Sequence, residues 1–284
     1  MKMFFLTLDL EEWYHLEYVN RSKLDSQSNI STIDMLNPFF EMLDKYNIKI
    51  TVFVLGELVS KHAELIRSIS QKGHEIAIHG WNHDLLYKKD TSQFLSEISR
   101  AKEVLEGLTG KSVIGYRAPC FSMSNKKLEL LRNIGIKYDS SYIKFSDHPL
   151  YGELNLQSYE KISDLIYKES SFLEYEIPTI SLFGRRLPIS GGGYFRLFPR
   201  FLFKLFFRFF LKNHSNFIMY IHPFELSSVE IKLNNITLLN KFRLNVGRRS
   251  NLVKLDNLLN DCIKNGFVFK TMKEFCDEVG AQNS

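Results

Sequence analysis

The chain has 284 residues, of which 44% are hydrophobic and 24% are charged. These proportions exclude an intrinsically disordered chain, and the length suits one α/β barrel or two smaller domains. The net charge of +5 is only mildly basic, and no Lys/Arg cluster forms a nucleic-acid motif.

Strand and helix patterns alternate along the chain. The strand candidates are Met3–Leu8, Ile48–Leu55, Glu75–Ile78, Ser112–Tyr116, Ile136–Tyr138, Phe172–Ile177, Phe217–Ile221 and Phe267–Phe269. The helix candidates between them are Asp34–Tyr46, Glu57–Gln71, Ser92–Leu108 and Lys126–Asn133. The alternation predicts parallel strands with crossover helices, and about eight strands favour a barrel over an open sheet. We expect one domain over residues 1–284, with a polar, Tyr-rich excursion around 147–171.

Residues whose side chains can act in acid–base catalysis or metal binding follow the predicted strands. They are Asp9 and Glu11, His79, Arg117, Asp139 and His222. In a parallel α/β barrel the carboxyl ends of the strands meet at one mouth, where active sites form. The sequence therefore predicts one site at that mouth.

The stretch His79-Gly80-Trp81-Asn82-His83 places two histidines four residues apart. Their imidazoles can converge if the chain turns helical after the strand, and neutral imidazole is the commonest protein metal ligand. With Glu11 they would form two His and one carboxylate around zinc or a similar divalent ion. The alternative is an unrelated strand-end His and a surface His.

Asp9 and Glu11 are two residues apart, so in an extended strand they share a face that Glu12 does not. One carboxylate could bind a metal while the other remains a base. An acidic helix N-terminus explains the same pattern. Arg117 could pair with a carboxylate, or point outward before Pro119, and a strand-end His such as His222 is more often structural than catalytic.

The ordered set resembles the NodB-homology polysaccharide deacetylases, carbohydrate esterase family four. The resemblance is carried by residues 73–83, by Arg117-Ala118-Pro119, by Tyr138-Asp139-Ser140-Ser141 and by Ile221-His222. The run 188–196, with residues 222–225, resembles the branch found beside exopolysaccharide and surface-glycan gene clusters. The resemblance spans residues 3 to 275.

This resemblance implies a distorted parallel barrel and metal-dependent removal of an N-acetyl group from an amino sugar in a polysaccharide or glycan precursor. Asp9 would be the general base, His79 and His83 metal ligands, Arg117 the group that orients Asp9, and His222 the general acid. Zn²⁺ is the expected metal. The backbone N–H of Cys120 or Phe121 would stabilise the oxyanion.

Further residues are expected to contact the carbohydrate. They are Trp13, Trp81, Pro119, Cys120, Phe121, Asp139, Gly192, Tyr194 and Arg196. The two tryptophans could be sugar-stacking walls or packed side chains. Cys120 could equally be a small buried residue.

The first motif departs from the family pattern, which has two adjacent aspartates with the second on the metal. Here Leu10 follows Asp9. Glu11 fits by the shared-face argument, and Glu12 remains open if a bulge intervenes.

Residues 197–213 form a basic, Phe-rich segment in which Arg200, Lys204, Arg208 and Lys212 repeat every fourth position. This pattern is typical of a helix that lies at a membrane interface, and its charges exclude a simple span. The alternative is a barrel helix with broad packing. Membrane contact would fit a lipid-linked glycan substrate.

The chain has three cysteines, Cys120, Cys262 and Cys276, without CxxC spacing, which argues against a disulfide framework. The N-terminal residues lack a secretory apolar region, so we expect a cytoplasmic protein, with peripheral contact at the inner face of the membrane. Two other functions remain open: hydrolysis of a small cyclic amide or ureide, with or without metal, and non-catalytic glycan binding.

Overall fold

The computed structural model describes residues 1–19, 30–145, 148–182, 184–231, 233 and 236–281. The strands are β1 (Lys2–Leu10), β2 (Thr51–Val54), β3 (Glu75–Ile78), β4 (Gly115–Tyr116), β5 (Tyr138–Asp139), β6 (Glu160–Ser163), β7 (Ile166–Glu169), β8 (Phe172–Tyr175), β9 (Thr179–Leu182), β10 (Arg185–Pro188), β11 (Asn216–Ile221) and β12 (Phe267–Phe269). The α-helices are α1 (Asn37–Lys45), α2 (Ala63–Gln71), α3 (Thr91–Thr109), α4 (Asn125–Asn133), α5 (Gly192–Leu197), α6 (Arg200–Phe210), α7 (Pro223–Leu226), α8 (Leu238–Asn245), α9 (Asn251–Lys264) and α10 (Met272–Ala281).

Ten strands form one curled sheet in the order β11-β1-β2-β3-β4-β5-β8-β7-β6, with β12 beside β1. Every pair from β11 to β8 is parallel. One backbone hydrogen bond, from Tyr220 N–H to Ser190 O at 3.1 Å, joins β11 to the chain after β8. Another, from Ile189 N–H to Pro178 O at 3.3 Å, lies within that later chain. The predicted fold class, a distorted parallel barrel, is confirmed.

β1 lies at the centre of this sheet. Apart from Lys2 all its residues are buried, because helices cover one face and the barrel interior the other. The parallel register aligns Leu8 with Ile221. It also aligns Val54 with Ile78 and Tyr116 with Asp139. The residues that follow these strands therefore emerge at one end of the barrel.

Part of the predicted excursion belongs to the sheet. Residues 160–169 form the antiparallel strands β6 and β7, which pair with β8 and extend the sheet edge. Leu165, between them, has a φ of 65°, as tight hairpins require. The start of the excursion, at residues 146–147, lies outside the described residues.

Several helices differ from the sequence prediction. α1 begins only at Asn37, because a 3-10 turn at Ile33–Met35 comes first and Pro38 favours the first helical turn. Helices α5 and α7 to α10 were not predicted. None of the described helices combines the length and apolar character needed to cross a bilayer.

Candidate metal and catalytic site

A cleft of about 190 Å³ opens at the carboxyl ends of the parallel strands. It is lined by Asp9, Glu11, Leu16, Glu17, His79, His83, Ala118, Cys120, Phe121, His148, Tyr151, Tyr220 and His222. The sequence-predicted residues that should carry the chemistry therefore meet in one place, with the exception of Arg117, which lies directly behind Asp9.

Glu11, His79 and His83 present ligand atoms that all lie within 4.8 Å of one another. Glu11 Oε2 is 2.7 Å from His83 Nε2 and 3.9 Å from His79 Nε2. His79 Nδ1 lies 3.0 Å from the carbonyl oxygen of Arg117, to which it can donate, leaving Nε2 free to ligate. Although it lies close to His83 Nε2, Glu11 Oε2 is buried and makes no hydrogen bond of acceptable geometry. A buried carboxylate oxygen facing two imidazole nitrogens fits a divalent cation.

The sequence analysis expected His79 and His83 to converge through a helical turn, but the structure has no helix between them. The chain after β3 is a loop in which Gly80 has a φ of 95° and His83 a φ of 63°. Two hydrogen bonds, from Gly56 N–H to Gly80 O and from Glu57 N–H to Trp81 O, hold the loop against the chain after β2. The left-handed conformation at His83 turns its imidazole back toward His79.

Glu12 points away from this trio. Its carboxylate accepts hydrogen bonds from the N–H and the hydroxyl of Thr32, both at 2.8 Å, and from the Ser31 hydroxyl. It therefore caps the turn that begins at Ile33, and the alternative of Glu12 as the metal ligand is wrong for this geometry.

Asp9 is held by Arg117, which is fully buried. Arg117 Nη1 donates to Asp9 Oδ1 at 2.7 Å and to Thr7 Oγ1 at 2.7 Å. Nε and Nη2 donate to the backbone and side-chain oxygens of Ser140, at 3.1 and 2.9 Å. Four hydrogen bonds fix the guanidinium, so one carboxylate oxygen of Asp9 is neutralised and the other faces the cleft.

His222 has a partner that the sequence analysis did not identify. Glu225 Oε2 lies 3.1 Å from His222 Nδ1 and accepts the His222 backbone N–H at 3.0 Å. His222 Nε2 faces the acids of the cleft, 3.5 Å from Glu11 Oε1 and 3.9 Å from Asp9 Oδ2. The His-Pro-x-Glu spacing was the available signal, because it puts an acid at the third position of a helix that His222 caps.

The charges around the cleft set distinct protonation states. Burial raises the pKa of Glu11, but the imidazoles of His83, His222 and His79 outweigh burial and hold that pKa well below its ordinary value. Burial lowers the pKa of His79 to about 4, so its imidazole is neutral. Burial also lowers the pKa of His222, but the Glu225 carboxylate, followed by Glu11 and Asp9, raises it to about 9.

Only one of the two proposed oxyanion donors is available. The N–H of Phe121 donates to Ala118 O at 2.9 Å, which removes it from the cleft. Within the described part of the chain the N–H of Cys120 makes no backbone or side-chain hydrogen bond, and Cys120 has a left-handed φ of 48°.

Neither tryptophan lines the cleft. Trp13 is 1% exposed, donates from Nε1 to Ile30 O, and packs with Phe224 and Leu244. The Trp81 ring covers Gly56, where a Cβ would lie only 2.3 Å away, and Arg100 stacks on the ring at 3.8 Å. The sugar-stacking prediction is therefore wrong, and packing against neighbouring segments is the reason.

Five other predicted substrate contacts support the site from behind. Pro119 is buried against Gly80. Asp139 accepts the Ser141 N–H and hydroxyl, and Ser141 Oγ accepts the Ala118 N–H. Gly192 leaves room for the Glu225 carboxylate, since a Cβ would lie 1.9 Å from its Oε2.

Arg196 and Tyr194 also lie outside the cleft lining. Arg196 is 8% exposed and its Nη1 donates to Val246 O at 2.7 Å. Its Nε is 3.5 Å from Glu225 Oε1. Arg196 thus positions Glu225 rather than a substrate, and Tyr194 packs against Phe198.

An aromatic wall faces the metal trio, and the sequence analysis predicted only its Phe121. His148 and Tyr151 stack with their ring centres 4.0 Å apart, and Phe121 meets Tyr151 and Tyr220 edge to face. His148 and Tyr151 come from the predicted excursion, whose tyrosine content was the only signal. Such rings are suited to the apolar faces of a sugar.

Comparison with known protein families gives two matches. Residues 31–138 match the family described as Polysaccharide deacetylase, and residues 140–277 match a domain of unknown function, DUF3473. The site draws on both regions, because His79, His83 and Arg117 lie in the first and His222 and Glu225 in the second. Asp9 and Glu11 precede both.

Three characterised groups of relatives are similar over part of the chain. A peptidoglycan deacetylase of Helicobacter pylori is 32% identical over 39% of this chain and 38% of its own length. The Listeria monocytogenes peptidoglycan-N-acetylglucosamine deacetylase PgdA is 28% identical over 31% of this chain and 19% of its own length. Chitin deacetylase 1 of Cryptococcus neoformans is 26% identical over 38% of this chain and 24% of its own length. The chain thus matches less than two fifths of the length of each.

Solved structures share the fold over nearly the whole chain. A Mycobacterium smegmatis protein assigned to the polysaccharide deacetylases has a TM-score of 0.64 at 20% identity, covering 99% of this chain and 92% of that one. A carbohydrate esterase family 4 pseudoenzyme of Bacillus anthracis has a TM-score of 0.55 at 14% identity, covering 98% of this chain and 66% of that one. At these identities the likeness establishes the fold alone.

Proposed function

We propose that this chain, which belongs to the polysaccharide deacetylase family, hydrolyses an N-acetyl group from an amino sugar of a polysaccharide or glycan precursor. One observation carries the proposal: the Glu11–His79–His83 trio lies between the Asp9–Arg117 pair and the His222–Glu225 pair. That arrangement supplies a metal site, a base and an acid within one cleft.

Glu11, His79 and His83 would hold the metal, for which nitrogen and oxygen ligands favour Zn²⁺. When bound, a divalent ion supplies Lewis-acid chemistry, lowering the pKa of water and polarising an amide carbonyl. Asp9 accepts the proton of the attacking water at Oδ2, because Arg117 occupies Oδ1. Arg117 fixes the direction of the Asp9 carboxylate through this hydrogen bond.

His222 completes the reaction as general acid. Glu225 accepts a hydrogen bond from Nδ1–H, so Nε2–H points toward the acids of the cleft and can deliver its proton to the departing amine nitrogen. The Cys120 N–H stabilises the oxyanion that forms as water adds to the carbonyl. Once Asp9 has taken one proton from the water and His222 has given one to the amine nitrogen, the C–N bond breaks and releases acetic acid, which ionises to acetate, and the free amino sugar.

The finer proposals concern location and substrate. We assign the protein to the cytoplasm and to surface-glycan synthesis, with residues 197–213 in contact with the inner leaflet and a lipid-linked glycan as substrate. α6 buries Phe203, Phe207 and Phe210 against the barrel. One face of α6 therefore packs as expected for a barrel helix. Its other face leaves Phe201 74% and Leu205 60% exposed, which supports interfacial contact.

The test is acetate release by the full chain from N-acetylated chitooligosaccharides and from peptidoglycan fragments, with and without added Zn²⁺. Wild-type protein should release acetate, and Asp9→Asn should not, while Glu12→Gln serves as the matched acidic control. Metal binding without acetate release, as in a pseudoenzyme, would overturn the proposal. Hydrolysis of a cyclic ureide in place of the acetylated sugars would instead establish the alternative substrate class.

A further inference from the structure

Positive charge is concentrated in one part of the chain. Residues 177–255 contain thirteen Lys and Arg residues, of which Arg196 and Arg248 are buried, but only two acidic residues, Glu225 and Glu230, of which Glu225 is buried. Since the whole chain has a net charge of only +5, the rest of it is net negative. This segregation favours contact of the 177–255 region with an anionic partner.

Helix α8 lies within this region and has two opposite faces. Leu244 is fully buried and packs with Trp13 and Phe224. On the other side Leu238 is 84%, Leu239 57% and Phe242 56% exposed. Three large apolar side chains so exposed on one short helix mark an interaction surface rather than scattered surface residues.

The charges on α8 suit an anionic surface. Lys241 and Arg243 lie on the helix beside the apolar residues, Arg249 is exposed just after it, and no acidic residue occurs between Glu230 and Asp256. Apolar side chains flanked only by cations match the boundary between lipid headgroups and acyl chains.

α8 is also fixed to the catalytic cleft. Its buried Leu244 contacts Trp13, two residues after Glu11, and Phe224, two residues after His222. Arg196 donates to the carbonyl oxygens of Arg243 and Val246 and pairs with Glu225, the partner of His222. Gly247 ends the helix with a φ of 72°, where a Cβ would lie 2.3 Å from Arg196 O. α8 is therefore linked through Leu244 and Arg196 to residues beside the cleft.

We propose that the exposed face of α8, formed by Leu238, Leu239 and Phe242 with Lys241 and Arg243, docks on an anionic lipid bilayer and holds the cleft beside the membrane surface. This contact is separate from α6 and adds a second point of attachment, which fixes the orientation of the protein. The docking does not depend on catalysis; only its consequence, preference for a membrane-held glycan, rests on the proposed function.

The experiment is flotation of the full chain with vesicles of phosphatidylcholine, with and without phosphatidylglycerol. Wild-type protein should float with the anionic vesicles and lose binding as salt increases. The L238Q/L239Q/F242Q variant should lower the bound fraction about tenfold, since it removes the apolar contacts. Phe242→Gln should weaken binding measurably, whereas the matched control Tyr87→Gln, at a residue also 57% exposed but outside the basic region, should not.

Three results would overturn the proposal. They are flotation of the triple variant equal to wild type, equal binding to neutral vesicles, and a wild-type dimer that the triple variant converts to monomer without any effect of lipid. Circular dichroism shows whether the triple variant is folded, and the single variant tests the same face with little risk to folding. Acetate release from a soluble oligosaccharide, measured in parallel, reports separately on the proposed function and should be equal in wild type and the triple variant.

Discussion

Glu225 Oε2 contacts His222 at two points, the backbone N–H and the ring atom Nδ1. The first bond caps a short helix and the second fixes which ring nitrogen faces the cleft. One carboxylate thus determines both the position and the proton of the proposed general acid.

Replacing Glu225 by Gln should therefore reduce catalysis and shift its pH dependence. His222 must be protonated to act, and its pKa of about 9 means that activity falls as the pH rises through that value. Without the carboxylate the pKa of His222 falls, so the alkaline limb should move to lower pH and kcat/KM should drop about 10- to 100-fold. A pH profile of kcat/KM measures both. If the alkaline limb of the kcat/KM profile is unchanged in Glu225→Gln, that limb reports the titration of a group other than His222.

Metal binding should distinguish the roles of the neighbouring residues Glu11 and Glu12. Glu11→Ala and His83→Ala should each lose a tightly held divalent ion, whereas Glu12→Ala should retain it. Glu12→Ala should instead lower the free energy of unfolding by about 2 kcal/mol, because the Thr32 and Ser31 donors lose their acceptor. Elemental analysis and zinc titration test the first expectation, and denaturant unfolding tests the second. Metal retained in Glu11→Ala would contradict the assigned ligand set.

The aromatic wall should contribute to substrate binding more than to chemistry. Tyr151→Ala removes a ring that lines the cleft but does not contact the metal trio, so KM should rise about tenfold with a smaller change in kcat. Tyr46→Ala, before β2 at the opposite end of the barrel, is the matched control. Equal effects of the two substitutions on KM would remove the wall from the substrate site.

A buried acid far from the cleft should make stability depend on pH. Burial raises the pKa of Glu75 from 4.5 to about 7, even though Thr51, Tyr138 and the Lys273 N–H all donate to it. Because the folded-state pKa is raised, the contribution of this group is fully present below pH 4.5 and is lost as the pH rises to about 7.

The loss from this one group is on the order of 3 kcal/mol. Denaturant unfolding at pH 5 and pH 8 should therefore show a smaller pH dependence for Glu75→Gln than for wild type. Glu64→Gln, at an exposed acid, should behave as wild type. If both variants keep the wild-type pH dependence, the titrating group is not Glu75.

The sequence predicted those site residues whose placement depends only on where a strand ends. Strand ends place Asp9, His79 and His222 at one mouth, because parallel strands align their carboxyl ends, and hydrophobic patterns locate most strands. The shared-face argument favoured Glu11 over Glu12, but the exclusion of Glu12 was not predictable, since it depends on Thr32, which donates two hydrogen bonds to Glu12 from twenty residues later.

Long-range packing accounts for the remaining differences. Trp13 is unavailable to a sugar because Leu244, far along the chain, covers it. Arg196 binds Glu225 and the end of α8 rather than substrate, which no local pattern reveals. The wall of His148 and Tyr151 comes from a segment without a helix or strand pattern of its own.

The central position of β1 has a consequence for biosynthesis. This strand is synthesised before the other described strands, yet it pairs with β11 and β12, whose residues begin at Asn216 and Phe267. Its apolar side chains must therefore wait for most of the chain to be synthesised, which makes the nascent protein slow to fold and a natural client for chaperones. It also means that Asp9 and Glu11 meet His222 only after residue 222 has been synthesised, so the proposed site is incomplete in shorter translation products.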